Sequence, residues 1–576
     1  MSETPILGPA PFKIPRMVWL RAAGKLLARQ GAVELFGAPG YGLTLDGPRC
    51  EGLGAAPRDV RPADSTIGRA VLNGRFVLAG AVLEVGAGGD PWDQPSPTYA
   101  FAVELHRFSW LPHLLAQGEA GQRRALALTL GWWSLFGRWS PFAWSRGVLS
   151  RRVFHLACSA RKLAAVADAD QQALLVRMLA RQTRHLLRLH QERGFALEDA
   201  AAAGVAGAAL AGDAGARLYR RALKRLPKAL DNTVLPDGCH ASRSPEATLE
   251  LLFDLLALDD ALLQRGEPAP EDLTRALDRL TAALRVFAMA DGRLACFQGG
   301  EAASAERVSA GRAHDDQDGE VSLSLPHGRY ERLQGQLMQV IVDAGAPARG
   351  AWGVTACDQP LALEVVCGRD RLITNAGWSA RSPERQGFRS IAAGSTLALG
   401  DGSPLEPLEG RLARILGTRL EGPLYRVEVR RHDSEGGALL ELAHDGWSER
   451  FGLTHERRLY LDQRMDELRG EDRLFPTEGS RARTLAAPFC ARFILHPEAQ
   501  VSLARDRKSV LLRGPSSRGW WFRNDAADVA VEPGVHFENG VPQKTSQIVL
   551  RGVARTDGLT RLRWKITPAG GPDQPV

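Results

Sequence analysis

Asp237-Gly238-Cys239-His240-Ala241-Ser242-Arg243-Ser244-Pro245, read together with Pro326-His327-Gly328-Arg329-Tyr330-Glu331-Arg332-Leu333, decides how this chain is divided. The first stretch closes a loop and opens a helix, because Leu249, Leu252, Phe253 and Leu256 fall at i, i+3, i+4 and i+7 after Pro245. It therefore sets a His, a Ser and an Arg at a helix mouth. The second stretch stands where the apolar period changes, and carries His327, Arg329, Tyr330 and Arg332 into a run of strand-like segments. A site where a helical half meets a β half suits a long polar substrate.

Outward from these two stretches the chain falls into parts. Residues 1–100 read as an N-terminal arm, with an amphipathic helix at 16–30 and short strands and turns over 31–100, such as Arg75–Ala79. Helical periodicity dominates 101–301. One helix there starts near the capping candidate Asp170, repeats Leu175, Met178, Leu179 and Leu186, and stops by Gly194. Such helices in succession predict antiparallel hairpins packed as an α/α toroid. Residues 302–325 are polar and rich in Gly, Ser and Asp, and read as a linker. From 326 to 576 the period is two. Leu361–Val366 and Leu372–Asn375 flank the turn Cys367-Gly368-Arg369-Asp370, and Phe451, Leu453, His455, Arg457, Leu459 and Leu461 share one strand face. More than 200 residues of strand without helix predict a large antiparallel β-sandwich. The fold class is thus α+β and multidomain.

Composition bounds the function. The apolar fraction of 44% and charged fraction of 24% are those of an ordinary globular protein. A length of 576 residues is too great for one core. Of 73 basic residues eight are Lys, and the net charge is +7. No dense basic run with interleaved aromatics occurs, so a nucleic-acid partner is not expected. Seven scattered cysteines without a CxxC pair argue for reduced thiols and against a zinc ribbon. The N-terminus lacks the marks of a secretory signal and no window reaches the length of a membrane span, so the expected location is cytoplasmic, with export by a route that leaves no sequence signature kept as the alternative. Oligomeric state is not legible.

Several segments carry a family resemblance. Besides Asp237–Pro245 and His327–Leu333 they are Phe297–Glu301, Val342–Gly345, Leu363-Glu364 with Gly368-Arg369, Ala392–Thr396, His444–Trp447, His455–Arg458 and Leu468–Asp472. In these the chain resembles the heparinase II/III-like family, in its α-proteobacterial branch. The resemblance implies β-elimination on a uronic-acid-containing polysaccharide, which requires a neutraliser for the uronate carboxylate, a base and an acid. It also implies an H-x-H-x-D cluster, a later Asp before Gly and a His in an A-A-H-[NS]-T stretch, which supply a catalytic His and, in some members, zinc. Here those positions read Thr355-Ala356-Cys357-Asp358-Gln359-Pro360, Asn375-Ala376-Gly377 and Gly394. An Asn-His pair of the helical half has no counterpart near Cys158-Ser159. No metal and no cofactor are expected, and activity is expected to be weakened or lost.

The candidate catalytic residues are His240, Tyr330 and His327, with Tyr330 serving if Arg329 or Arg332 lowers its pKa. Arg243, Arg329 and Arg332 are the candidates for binding the carboxylates of an acidic polysaccharide or oligosaccharide. The bland alternatives are a loop His on a helix N-terminus, a packed Tyr and ion-paired arginines. His455 and Arg457 are expected as a satisfied core pair, and Cys357 as an inert thiol. Two other functions stay open. One is a non-catalytic module that binds acidic glycan or associates with the envelope. The other is an inverting glycoside hydrolase using Glu301 with Asp237 or Asp315.

Overall fold

A computed structural model describes residues 15–192, 194–315, 321–379, 385–480 and 485–570. Residues 1–14, on which part of the leader reading rests, residues 316–320 of the expected linker and the tail 571–576 lie outside the described residues.

Helices follow one another from Tyr99–Arg107 to Glu271–Phe287. Arg146–Ala164, Ala169–Leu186, Gly212–Leu223 and Pro245–Gln264 all pack around Ala196–Ala208. That last helix is buried along almost its whole length. Its Ala and Gly side chains permit this, since a Cβ on Gly207 would stand 2.4 Å from the Tyr219 nitrogen. The helix Ala169–Leu186 begins two residues earlier than expected. Asp168, not Asp170, is its cap, and the reciprocal bonds of Asp168 and Gln171 close a capping box. It ends at Leu186, well before Gly194.

The N-terminal arm holds more helix than its Gly and Pro content predicts. Helices Arg16–Gly37 and Ser65–Leu72 accompany the hairpin of Arg75–Leu78 and Ala81–Glu84. Asp64 caps the second helix by accepting from the Thr66 and Ile67 amides. Arg58 and Arg61 then tie the arm to Pro245–Gln264 through Asp260, Glu250 and Asp254. The segment read as a linker also contains a helix, Ala305–Arg312, capped by Ser304. Two buried positions, Val308 and Gly311, hold it against the helical domain, too few to show a period in sequence.

The sandwich has two antiparallel sheets. Across the first, from edge to edge, run Asp528–Glu538, Val541–Arg555, Ala486–Leu495, Asp370–Thr374, Leu363–Cys367, Met338–Asp343, Tyr330–Gln334 and Ser324–Leu325. Across the second run Val427–Ser434, Gly437–His444, Leu453–Asp462, Glu467–Pro476, Thr560–Pro568, Gly519–Asn524, Ser509–Arg513 and Gln500–Leu503. Short helices at Gly410–Leu416 and Ser448–Phe451 interrupt the strands, where none was expected. Gly410–Leu416 packs on Val18 and Ala22 of the N-terminal helix, so its burial comes from a distant partner.

The central strands of the first sheet, Met338–Asp343, Leu363–Cys367 and Asp370–Thr374, are buried on both faces. Val340, Val342 and Val365 join the core between the sheets, while Tyr330, Ile341, Ala362 and Val366 join the core of the helical domain. The layers are therefore helices, first sheet, second sheet. The two motifs that opened the sequence analysis lie at the first of these seams.

Candidate functional site

The two motifs do meet, and they meet by binding each other. One Asp237 carboxylate oxygen accepts from the His327 and Gly328 amides, both at 2.7 Å. Arg243 donates Nε to the Gly328 carbonyl at 2.9 Å and Nη1 to the Ala346 carbonyl at 2.8 Å and the Gly345 carbonyl at 3.1 Å. Its Nη2 reaches the Arg329 carbonyl and the Asp343 carboxylate. Tyr330 completes the circuit by donating its hydroxyl to the Arg243 carbonyl at 2.7 Å. Gln298 binds the other Asp343 oxygen at 2.6 Å.

Local chemistry explains why Arg243 can turn inward. Its backbone sits at φ 67°, in the left-handed region, within a turn closed by its own N–H on the His240 carbonyl at 2.7 Å. Ser244 then caps the helix Pro245–Gln264. Burial alone would pull the Arg243 pKa down, but the Asp343 charge holds it above the ordinary value. A buried pair of this kind is stable because every remaining donor is satisfied by a carbonyl.

The other candidates divide between buried and open positions. His240 accepts from the Ser242 amide at Nδ1, 3.1 Å away, which assigns its proton to Nε2. Its ring meets Trp352 edge-on at 5.0 Å, and burial pushes its pKa down to about 4. The ring is thus neutral at pH 7. Tyr330 is fully buried, and burial, reinforced by the Asp343 charge, pushes its phenol well above the ordinary value. The condition for Tyr330 to serve, a phenol lowered by Arg329 or Arg332, is not what the geometry produces. Arg332 is buried and donates Nη1 to the carbonyls of Arg285, Val286 and Ala288, closing the C-terminal end of Glu271–Phe287. Burial pushes its pKa down to about 10. Arg329 is an exposed residue whose guanidinium donates to the Val427 carbonyl, and His327 is exposed.

The carboxylates of the hydrolase reading are also engaged. Glu301 accepts from the Gly540 amide at 3.0 Å and from Ser379, and Asp315 pairs with Arg285. Asp343 and Gln298, which organise the seam, were not singled out by sequence. The signal lay inside Val342–Gly345, where an Asp follows a run of strand apolars.

The positions where the family resemblance implies zinc do not fit the metal. Burial pushes the Cys357 thiol up to about 11, so it stays protonated. The Asn375 amide donates to the Cys296 carbonyl and accepts from the Ser395 amide. Gly394 has no donor, and a Cβ there would stand 3.0 Å from Gln359. Asp358 accepts from Tyr425 and from the Leu405 amide, and burial pushes its pKa up to about 7. No tetrahedral set can be drawn from these groups.

A separate groove of about 550 Å³ opens on the second sheet. Arg458, Arg469, Arg473, Arg523, Arg563 and Lys565 line it with Tyr460 and Trp564. Several of these cations pair with Glu441, Glu456, Glu467 and Glu471, while Arg523 is directed at Thr567.

Comparison with known proteins agrees with this architecture. The family model for the heparinase II/III-like C-terminal domain matches residues 318–565. FtsZ-localized protein C of Caulobacter vibrioides is 48% identical, the match covering 99% of this chain and 100% of that protein. A crystal structure of heparinase III superposes with a TM-score of 0.68 at 13% identity, covering 97% of this chain and 94% of the other. A mutant of the heparan sulfate lyase HepC from Pedobacter heparinus gives 0.56 at 14% identity, covering 98% and 94%. At such identities the two structures speak for the fold, which is of the polysaccharide-lyase kind. With the domain match lying on the sandwich and near-half identity running the full length, the chain belongs to the heparinase II/III-like family, in company with FtsZ-localized protein C.

Proposed function

We propose that this protein is a lyase-like fold used for binding rather than for catalysis, a module that holds an acidic chain and works where FtsZ is assembled. The carrying observation is the seam itself. Arg243, Tyr330 and Arg332 spend their polar groups on main-chain carbonyls and on Asp343, which leaves a uronate carboxylate no free neutraliser among them. A group that acts on substrate must reach it, and the ordered hydrogen bonds of a packed seam oppose that. The cationic groove on the second sheet supports the binding part of the reading, since it gathers guanidinium groups beside the part-exposed Tyr460 ring, while Trp564 is buried in the core beneath. The FtsZ part comes from the relative's name and rests on full-length identity. A cytoplasmic location belongs to the same proposal.

The test has two arms. Purified protein is incubated with a panel of uronate polysaccharides while the ultraviolet absorbance of an unsaturated product is followed, and binding to the same panel and to purified FtsZ is measured. Binding without absorbance is the expected result. Turnover that His240→Ala abolishes would restore the lyase reading, and reducing ends without absorbance would favour the hydrolase. Binding to neither glycan nor FtsZ would sink the proposal.

A further inference from the structure

The strand Asp528–Glu538 ends in His536-Phe537-Glu538, and residues two apart on a strand face the same way. His496 follows the end of Ala486–Leu495 in the same sheet. One donor atom from each of His496, His536 and Glu538 lies within 4.8 Å of the others. His536 is fully buried, and its Nδ1 donates to the Asn375 carbonyl at 2.8 Å, which leaves Nε2 as the lone pair. That Nε2 is buried and has no hydrogen-bond partner among the described residues. A ring held by a backbone carbonyl through one nitrogen, with the other free, is the arrangement that orients a metal-ligating His.

A cation already uses this place. Arg293, from the loop after Glu271–Phe287, donates Nη1 to Glu538 at 2.6 Å and stands 3.3 Å from His496 Nε2. His496 is nearly buried; its Nδ1 stands 3.3 Å from the Glu498 amide and 3.5 Å from the Glu498 carboxylate, which would accept from the Nδ1 proton when Nε2 turns its lone pair to a metal. The Arg293 side chain is 29% exposed and can swing away into solvent. Burial pushes the His536 pKa down to about 4, so its lone pair is available at pH 7. His496 and Arg293 hold the Glu538 carboxyl down at about 2, so it is ionised.

We propose that His496, His536 and Glu538 form a binding site for a divalent transition metal such as Zn²⁺, which displaces the Arg293 guanidinium from the seam between the helical domain and the first sheet. Two imidazoles and one carboxylate are a zinc-type donor set with an open fourth position. Tetrahedral ligands at 2.0–2.1 Å lie about 3.4 Å apart, so the three must close by roughly an ångström. The partly exposed Glu538 can supply that movement. These residues are distinct from Cys357, Asn375 and Gly394, where the family resemblance would put zinc.

The test uses the full chain, stripped with chelator and titrated with Zn²⁺ alone in a calorimeter. One ion per chain is expected, with a rise in thermal stability. Arg293→Ala removes the competing cation and is expected to tighten binding by about tenfold or more. His536→Gln and Glu538→Gln, checked for native circular dichroism, are expected to weaken it by at least about tenfold. Combining Arg293→Ala with His536→Gln keeps the test valid if His536→Gln alone perturbs the seam, and this pair is expected to lose the gain. Co²⁺ should give the visible spectrum of a low-coordinate nitrogen and oxygen site. Absence of stoichiometric binding, binding indifferent to His536→Gln, failure of Arg293→Ala to tighten it, or a thiolate-to-cobalt band would each overturn the site.

Discussion

Asp472 shows at the residue scale how this fold treats charge. It sits fully buried opposite Arg457 in the strand register and accepts from Arg457 Nε at 2.7 Å, His455 Nε2 at 2.8 Å and Trp564 Nε1 at 3.0 Å. Burial opposes the charge, but Arg457 and His455 hold the carboxyl far below the usual range. Replacing it leaves Arg457 buried without a counter-charge, so Asp472→Ala is expected to lose about 3–5 kcal/mol in urea unfolding. Buried histidines set the pH response. Burial holds His106 and His536 down at about 4 and His185 at about 3, against an ordinary 6.5. Below pH 6.5 the unfolded chain takes up protons that the folded chain refuses, so stability must fall as pH drops from about 6.5 toward 4. Unfolding midpoints taken across that window should decline. A flat profile there would contradict the burial of these rings.

Gly470 makes the corresponding case for an element. The strand Glu467–Pro476 alternates as a half-buried strand should, yet a Cβ at Gly470 would stand 2.1 Å from the Trp564 indole. That ring lies 4.9 Å from Phe493 and stacks on Phe522 at 5.9 Å, so it has little room to yield. Gly470→Ala is expected to cost about 1–3 kcal/mol through overpacking, although the backbone there is ordinary. Chemical denaturation would measure it, with Gly436→Ala as the control, because nothing stands within 4 Å of a Cβ at Gly436. Periodicity located the hairpin turn at Gly368-Arg369 and the strand Leu453–Asp462, but began that strand two residues too early, since Phe451 closes the short helix Ser448–Phe451. It missed Ala305–Arg312 and Gly410–Leu416, whose buried positions number two each and whose partners lie far away in the chain.

Across the whole molecule, Arg243 with Asp343 couples the helical domain to the sandwich. Arg243→Met removes five hydrogen-bonding contacts to the far side of the seam, to Gly328, Gly345, Ala346, Arg329 and Asp343, and leaves the Asp343 charge buried. A loss of about 3–5 kcal/mol is expected. Calorimetry should also show one endotherm broadening into two, because each domain keeps its own core. A single sharp transition in the variant would mean that apolar contacts alone join the domains.

What the sequence by itself determined is what local periodicity and composition encode. These are the change from a 3.6 to a 2 residue period around Leu325, the apolar face of Leu453–Leu461, the satisfied pair His455 and Arg457, and the kinship carried by motifs such as Asp237–Pro245. It also named two residues that bind each other at the seam, Arg243 and Tyr330, while the His240 ring turns to Ser242 and Trp352. Only the tertiary structure decided what they face. An arginine reads the same in sequence whether it meets a substrate or a carbonyl. The choice for Arg243 was made by Asp343, 100 residues away, and for Arg332 by the helix end at Val286. Those partners come from long-range packing, in which burial makes an unpaired charge too costly and so selects the nearest acceptor that the fold brings into reach.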